Sequence, residues 1–187
     1  MTEARKVPLL NVANILTVSR LVLVPVFLVA LFTNGGHDTF WRLVAFGIFA
    51  VASVTDHVDG NLARKYKLIT DFGKIADPIA DKALTGSALV GLSVLGVVPW
   101  WITIVILVRE WGVTFLRFWV IRYGVIAASP GGKAKTLLQI VAIGLFLLPL
   151  TGPVELLAWV TMAAAVVLTV VTGIDYVVRA VRLRAAA

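Results

Sequence analysis

The chain has 187 residues, 60% of them hydrophobic and 14% charged, with a mean hydropathy of +0.97. Soluble domains carry about 25% charged residues, so a water-soluble globule is excluded. Cysteine is absent, which rules out disulfides and thiolate metal sites, and His37 and His57 lie too far apart to suggest a zinc pair. The net charge of +7, from 17 Lys and Arg against 10 Asp and Glu, sits at alternate ends of long apolar runs. That placement points to a membrane surface or a phosphate-bearing substrate as the anionic partner, and not to nucleic acid.

Residues 1–10 set Glu3, Arg5 and Lys6 beside Val7, Leu9 and Leu10, which predicts a short amphipathic helix in the membrane interface. A first span is expected over 12–33. It is too long for the apolar region of a cleavable signal, contains Arg20 and lacks a small-residue cleavage site, so it is expected to stay in the mature chain. Asn34-Gly35-Gly36 breaks it. The second span, 40–65, starts apolar and turns polar through Asp56, Asp59 and Arg64. The third, 73–98, carries Asp77 and Asp81 near its start and is closed by Pro99. The fourth, 100–123, is interrupted by Arg109, Glu110 and Arg117. The fifth, 133–151, follows Ser129-Pro130-Gly131-Gly132, and the sixth, 154–182, follows Thr151-Gly152-Pro153 and runs into Arg179, Arg182 and Arg184.

The expected fold is therefore an all-α integral membrane protein: six transmembrane helices and a short N-terminal interfacial helix, forming a single domain over 1–187. An even number of spans puts both termini on one side. Of the 17 basic residues only Arg42 lies by a loop of the opposite side, so both termini are expected in the cytoplasm.

Half of the acidic residues, Asp56, Asp59, Asp71, Asp77 and Asp81, crowd into positions 56–81. A carboxylate inside a membrane span costs at least about 2.5 kcal/mol, so such groups usually face a cavity and serve a function. Asp56 and Asp59 are spaced i, i+3 and Asp77 and Asp81 i, i+4, which puts each pair on one helix face. Two neighbouring helices can then bring four carboxylates into one small volume. Their repulsion calls for cations, and hard oxygen ligands suit Mg²⁺, Mn²⁺ or Ca²⁺. Gly60 and Ala63 leave room for a planar or phosphate group, Gly73 keeps the start of the third span accessible, and Arg64 can pair with a phosphate or hydrogen-bond a base. A metal clamp beside an arginine reads as phosphoryl-type transfer. Asp71 reads as a cap or loop charge, His57 as a residue pointing away, and Trp41, Trp100, Trp101 and Trp159 as interface anchors.

These residues, Asp56-x2-Asp59-Gly60-x2-Ala63-Arg64-x8-Gly73-x3-Asp77-x3-Asp81, fix eight positions and resemble the full motif of the CDP-alcohol phosphotransferase family. The resemblance implies a six-helix membrane enzyme that uses divalent metal, Mg²⁺ or Mn²⁺, to displace CMP from a CDP-linked donor with an alcohol. It implies Asp56, Asp59, Asp77 and Asp81 as metal ligands and Asp81 also as the base for the acceptor hydroxyl. Asp59, Gly60, Ala63, Arg64 and Gly73 would hold the nucleotide. A homodimer is expected from the resemblance alone.

Acceptor choice must come from residues outside the motif. Arg109 and Arg117 are eight apart, about two turns and nearly one face. Lys133 and Lys135 open the fifth span, where the helix dipole also favours an anion. Together these cations form a plausible phosphate pocket. Asn14-x2-Thr17-x2-Arg20-x4-Pro25, Arg109-Glu110 with Arg117, and Gly132-Lys133-x-Lys135-Thr136 look like the phosphatidylglycerophosphate synthase branch of that family. That branch transfers phosphatidyl from CDP-diacylglycerol to sn-glycerol 3-phosphate. On this resemblance Arg109, Arg117, Lys133 and Lys135 grip the acceptor phosphate, and Thr17 and Arg20 line the site, in a cytoplasmic membrane and on its inner face. The competing expectations are a sister activity with inositol phosphate or phosphatidylglycerol as acceptor, and an ion transporter that uses the carboxylates as a relay. A transporter leaves Gly60, Ala63 and Arg64 unexplained.

Overall fold

The computed structural model describes residues 12–66, 71–120 and 130–185, and among them there is helix and turn but no strand. The helices are α1 (Val12–Phe32), α2 (Thr39–Tyr66), α3 (Asp71–Val94), α4 (Trp100–Val120), α5 (Pro130–Leu147) and α6 (Pro153–Ala185), with a 3₁₀ turn at Thr33–Gly36. The interfacial helix expected over 1–10 lies outside the described residues.

Local chemistry sets the helix ends. After α1 the chain passes through positive φ at Asn34 (54°), Gly35 (70°) and Gly36 (76°), a left-handed path that glycine takes freely and asparagine tolerates. Asp38 then caps α2, its Oδ1 accepting the Trp41 N–H at 3.0 Å. α3 stops at Val94, short of the expected 98, because the chain turns at Gly96 (φ 72°) and the Val97 N–H returns to the Leu92 carbonyl at 2.9 Å. Proline opens both α5 and α6, at the one helical position where its missing N–H costs nothing.

The chain divides into two compact units, Met1–Gly91 and Leu92–Ala187. In the first, α1 packs along α2 around Phe27, Leu31, Ala45, Phe49 and Ala52, with the Phe27 and Phe49 rings 6.1 Å apart. Gly91 of α3 lies so close to α1 that a Cβ there would fall 2.6 Å from Leu31 Cδ2. One face of α1 is polar and buried: Asn14, Thr17 and Arg20 succeed one another every third residue. In the second unit α6 packs against both α4 and α5, and Phe146 meets Trp159 edge to face at 4.8 Å. The Ser93 and Thr103 hydroxyls share a hydrogen bond of 2.7 Å, and Lys135, Gln139, Thr169 and Thr172 are buried.

The outward faces are apolar, with Val22, Val26 and Val29 exposed on α1 and Val160, Val167, Val171 and Ile174 on α6. Water is a poor solvent for such faces and lipid a good one. Among the described residues three segments, Asn14–Gly36, Thr39–Asp56 and Pro153–Arg184, are long and apolar enough to cross a membrane by length and composition. The other three helices carry charge within their length: Asp77, Asp81 and Lys82 in α3, Arg109, Glu110 and Arg117 in α4, Lys133 and Lys135 in α5.

Candidate active site

Two groups of polar side chains interrupt the apolar helices, one in each unit. In the first unit, Asp56 and Asp59 lie one turn apart on α2, followed there by Gly60, Ala63 and Arg64; Gly73, Asp77 and Asp81 lie along the first half of α3. For Asp59, Gly60, Ala63, Arg64, Gly73 and Asp77 the backbone is helical, and their side chains lie outside the described residues. Asp56 and Asp81 are described, and both are partly exposed.

Asp56 is held by Arg20. The Arg20 guanidinium donates from NH1 to Asp56 Oδ1 across the α1–α2 contact. Burial is uneven, 1% exposure for the arginine side chain and 31% for the aspartate, so the cation is enclosed while the carboxylate sits at the open end of the pair. An enclosed guanidinium in an apolar helix needs such a counter-charge. The sequence groups Arg20 with the acceptor-lining residues; the structure places it on the first aspartate, with Thr17 buried one turn before it. Ser53, one turn before Asp56, is also buried, and its hydroxyl has no partner among the described residues. The backbone carbonyl of Asp81 accepts the Thr85 hydroxyl at 2.9 Å.

The donor set of the motif, four carboxylates without sulfur, suits a hard divalent cation. Among the described residues no three His, Cys, Asp or Glu side chains come together, two of the four aspartates being outside that set. Asp56 is partly exposed, and its carboxylate is directed by Arg20.

The second group joins α4, α5 and α6. Glu110 Oε1 accepts from Lys135 Nζ and, at 3.1 Å, from Arg109 NH1. Arg109 NH2 donates to Thr172 Oγ1 at 2.8 Å, and the Thr172 hydroxyl donates in turn to the Leu168 carbonyl at 2.6 Å. Gly173 gives the arginine its seat, since a Cβ there would stand 3.0 Å from Arg109 Cγ. Of the four cations expected to hold an acceptor phosphate, the structure therefore brings Arg109 and Lys135 together. Lys133 is exposed, and the Arg117 side chain lies outside the described residues.

Sequence reasoning missed Thr172 and Gly173 and treated Glu110 only as a neighbour of Arg109. A signal was present: Thr169, Thr172 and Tyr176 recur at helical spacing in an otherwise apolar span and are all buried. Arg109 Nε, Thr169 Oγ1 and the Tyr176 hydroxyl are buried without a hydrogen-bond partner among the described residues. Buried polar groups are normally satisfied, so this part of the unit has polar capacity to offer water or a ligand.

Comparison with known proteins bears on both groups. Residues 10–171 match the CDP-alcohol phosphatidyltransferase family. A Mycobacterium tuberculosis (strain H37Rv) protein named probable phosphatidylglycerophosphate synthase is 63% identical over 172 residues, covering 92% of this chain and 82% of that protein. A Bacillus subtilis (strain 168) CDP-diacylglycerol–glycerol-3-phosphate 3-phosphatidyltransferase is 38% identical, covering 89% of this chain and 93% of its own length. A Haemophilus influenzae protein of the same name is 37% identical, with coverage of 89% and 91%. The matched region encloses the whole motif from Asp56 to Asp81 together with Arg20, Arg109, Glu110 and Lys135, and on these grounds the chain belongs to the CDP-alcohol phosphatidyltransferase family.

Proposed function

We propose that this membrane enzyme transfers the phosphatidyl group of CDP-diacylglycerol to sn-glycerol 3-phosphate, giving phosphatidylglycerol phosphate and CMP for phospholipid synthesis. The observation that carries the reading is the complete eight-position motif on α2 and α3 in a chain 63% identical to a relative named for this product. Arg109 and Lys135, gathered at Glu110, support a phosphorylated acceptor over a neutral alcohol, because two cations beside one carboxylate leave a net positive charge.

In this mechanism Gly60, Ala63 and Gly73 leave room for the nucleotide against the helix backbones, and Asp59 and Arg64 hold it. Asp81 takes the proton of the acceptor hydroxyl as that oxygen bonds to the phosphatidyl phosphorus. The bond from phosphorus to the CMP oxygen breaks, and CMP leaves with the electron pair. Asp56, Asp59, Asp77 and Asp81 would hold Mg²⁺ or Mn²⁺, whose charge would offset that of the diphosphate and of the leaving CMP. Arg20 acts through Asp56, and Thr17 lies beside it on α1. Arg109, Arg117, Lys133 and Lys135 hold the acceptor phosphate.

The reading includes six spans, with both termini and the active site on the cytoplasmic side of the inner membrane, and a homodimer. The distribution of the basic residues supports the orientation. A donor whose tails stay in the bilayer and an acceptor that arrives from water meet most simply at that interface.

The test is the acceptor assay. Purified protein given CDP-diacylglycerol, Mg²⁺ and labelled glycerol 3-phosphate is expected to release CMP and label the lipid. Release with inositol phosphate or phosphatidylglycerol but not with glycerol 3-phosphate would move the reading to a sister activity, and no release with any alcohol would end it.

A further inference from the structure

Helix α6 is 33 residues long, about 50 Å at 1.5 Å per residue. Between Glu155 and Asp175 it carries no charge. That stretch, residues 156–174, spans about 28 Å, close to the ~30 Å of a bilayer's hydrocarbon. The last three turns, residues 175–185, then hold Asp175, Arg179, Arg182 and Arg184. Charged side chains are costly in hydrocarbon, so these residues set the level at which α6 meets the headgroups.

This end of the helix has three unlike sides. Tyr176 and Ala180 are buried. Arg179, Arg182 and Arg184 are exposed, Arg179 pairing with Asp175 one turn back at 3.0 Å. The third side is apolar and open: Val178 and Val181, 41% and 61% exposed, continue at helical spacing the outward stripe of Val160, Val167, Val171 and Ile174. Beyond them Arg184 lies over the ring of Trp119 at the end of α4, 5.0 Å from its centroid. The contact seats a guanidinium on a half-exposed indole, a side chain that itself favours the headgroup level.

Three arginines against one aspartate leave the end positive, and an apolar stripe that runs unbroken from the span into a basic end suits one occupant along its whole length. Lipid tails cover the valines, and anionic headgroups meet the arginines. We infer that residues 175–185 of α6, with Trp119 of α4, form a docking surface for anionic phospholipids. This goes beyond the reaction proposed above. It takes from that reading only that α6 crosses a bilayer, and it uses none of the acceptor-binding residues.

The experiment follows thermal stabilisation of the full chain in detergent micelles as phosphatidylserine or phosphatidylcholine is titrated in. Phosphatidylserine is anionic and is neither donor nor acceptor in the proposed reaction. It is expected to stabilise the wild type at lower mole fraction than phosphatidylcholine does. In the double variant Arg182→Gln/Arg184→Gln the phosphatidylserine needed for half the effect should rise on the order of thirtyfold, about fivefold per arginine, with the phosphatidylcholine response unchanged. Arg182→Gln alone leaves the contact with Trp119 in place, should rise about fivefold, and decides the matter if the double variant fails to fold. Equal responses of the wild type to the two lipids, or an unshifted phosphatidylserine response in a folded variant, would overturn the inference. Inorganic phosphate is run in parallel: stabilisation by it that the double variant loses would assign the arginines to a soluble anion and also overturn it. So would a change from dimer to monomer in the double variant without any phosphatidylserine effect, which would give the stripe to a second copy. None of these measurements needs turnover, so a failure of the proposed reaction leaves the lipid surface standing, and the surface can fail while the reaction holds.

Discussion

Arg20→Met tests the link between α1 and the aspartate motif. The substitution removes a cation 1% exposed from within a segment apolar enough to span the membrane, and it leaves Asp56, 31% exposed, without the guanidinium. Breaking a fully buried ion pair by deleting one partner costs about 3–5 kcal/mol. The partial exposure of Asp56 lets water recover some of that, and the methionine packs well where the arginine stem ran, so about 2 kcal/mol is expected. The measurement is unfolding in detergent with a chelator present, on wild type, Arg20→Met, Asp56→Asn and the double variant. The two single losses should fail to add, with a coupling of about 1–2 kcal/mol, because each deletes the same interaction. Mg²⁺ should shrink the Arg20→Met loss, since an ion at the aspartates supplies the missing counter-charge, and CMP release should fall at least tenfold because Asp56 loses its orientation. Additive losses, or an Arg20→Met protein within about 0.5 kcal/mol of wild type, a difference typical of neutral surface changes, would refute the idea that Arg20 serves Asp56.

That prediction could not have been written from the sequence, and the reason is physical. Helical spacing shows which residues share a face, so Asn14, Thr17 and Arg20 were legible as a stripe on α1, and Asp56 with Asp59 as a pair on α2. Spacing does not show which face of a neighbouring helix that stripe meets. A lone arginine in an apolar span reads equally well as a phosphate ligand, and only the packing of α1 on α2 assigns it to a carboxylate. The turn at Asn34-Gly35-Gly36 was readable because it acts locally, through φ, whereas Pro130 and Pro153, read as breakers ahead of spans from 133 and 154, are the first residues of α5 and α6. The early end of α3 was harder to read, since Val94 to Val98 is apolar throughout and a single glycine at 96 diverts it. In α6 the hydroxyls of Thr169 and Thr172 vanish into a high average hydropathy, although a search for polar residues at helical spacing would have found them. The meeting of Glu110 with Lys135 spans 25 residues and two helices, a contact for which the single sequence carries no local mark.

Two further substitutions probe the chemistry and its support. Asp81→Asn should abolish CMP release while leaving CDP-diacylglycerol binding and unfolding near wild type, as measured by nucleotide-dependent thermal shift; retained turnover would remove Asp81 as the base. Gly173→Ala separates the seat of Arg109 from the stability of α6. The new methyl carbon would stand 3.0 Å from Arg109 Cγ and 3.5 Å from its Nε, so the arginine must give by a few tenths of an ångström. Overpacking of this kind costs about 1 kcal/mol at its mildest, and replacing a mid-helix glycine by alanine returns about 1 kcal/mol. The two nearly cancel, and the melting temperature should hardly move. Acceptor binding has no such compensation, because the displaced guanidinium no longer reaches Thr172 and Glu110 together. The glycerol 3-phosphate KM should therefore rise severalfold at constant stability. A variant with unchanged KM would show that Arg109 tolerates the shift and that its position against α6 does not govern the acceptor.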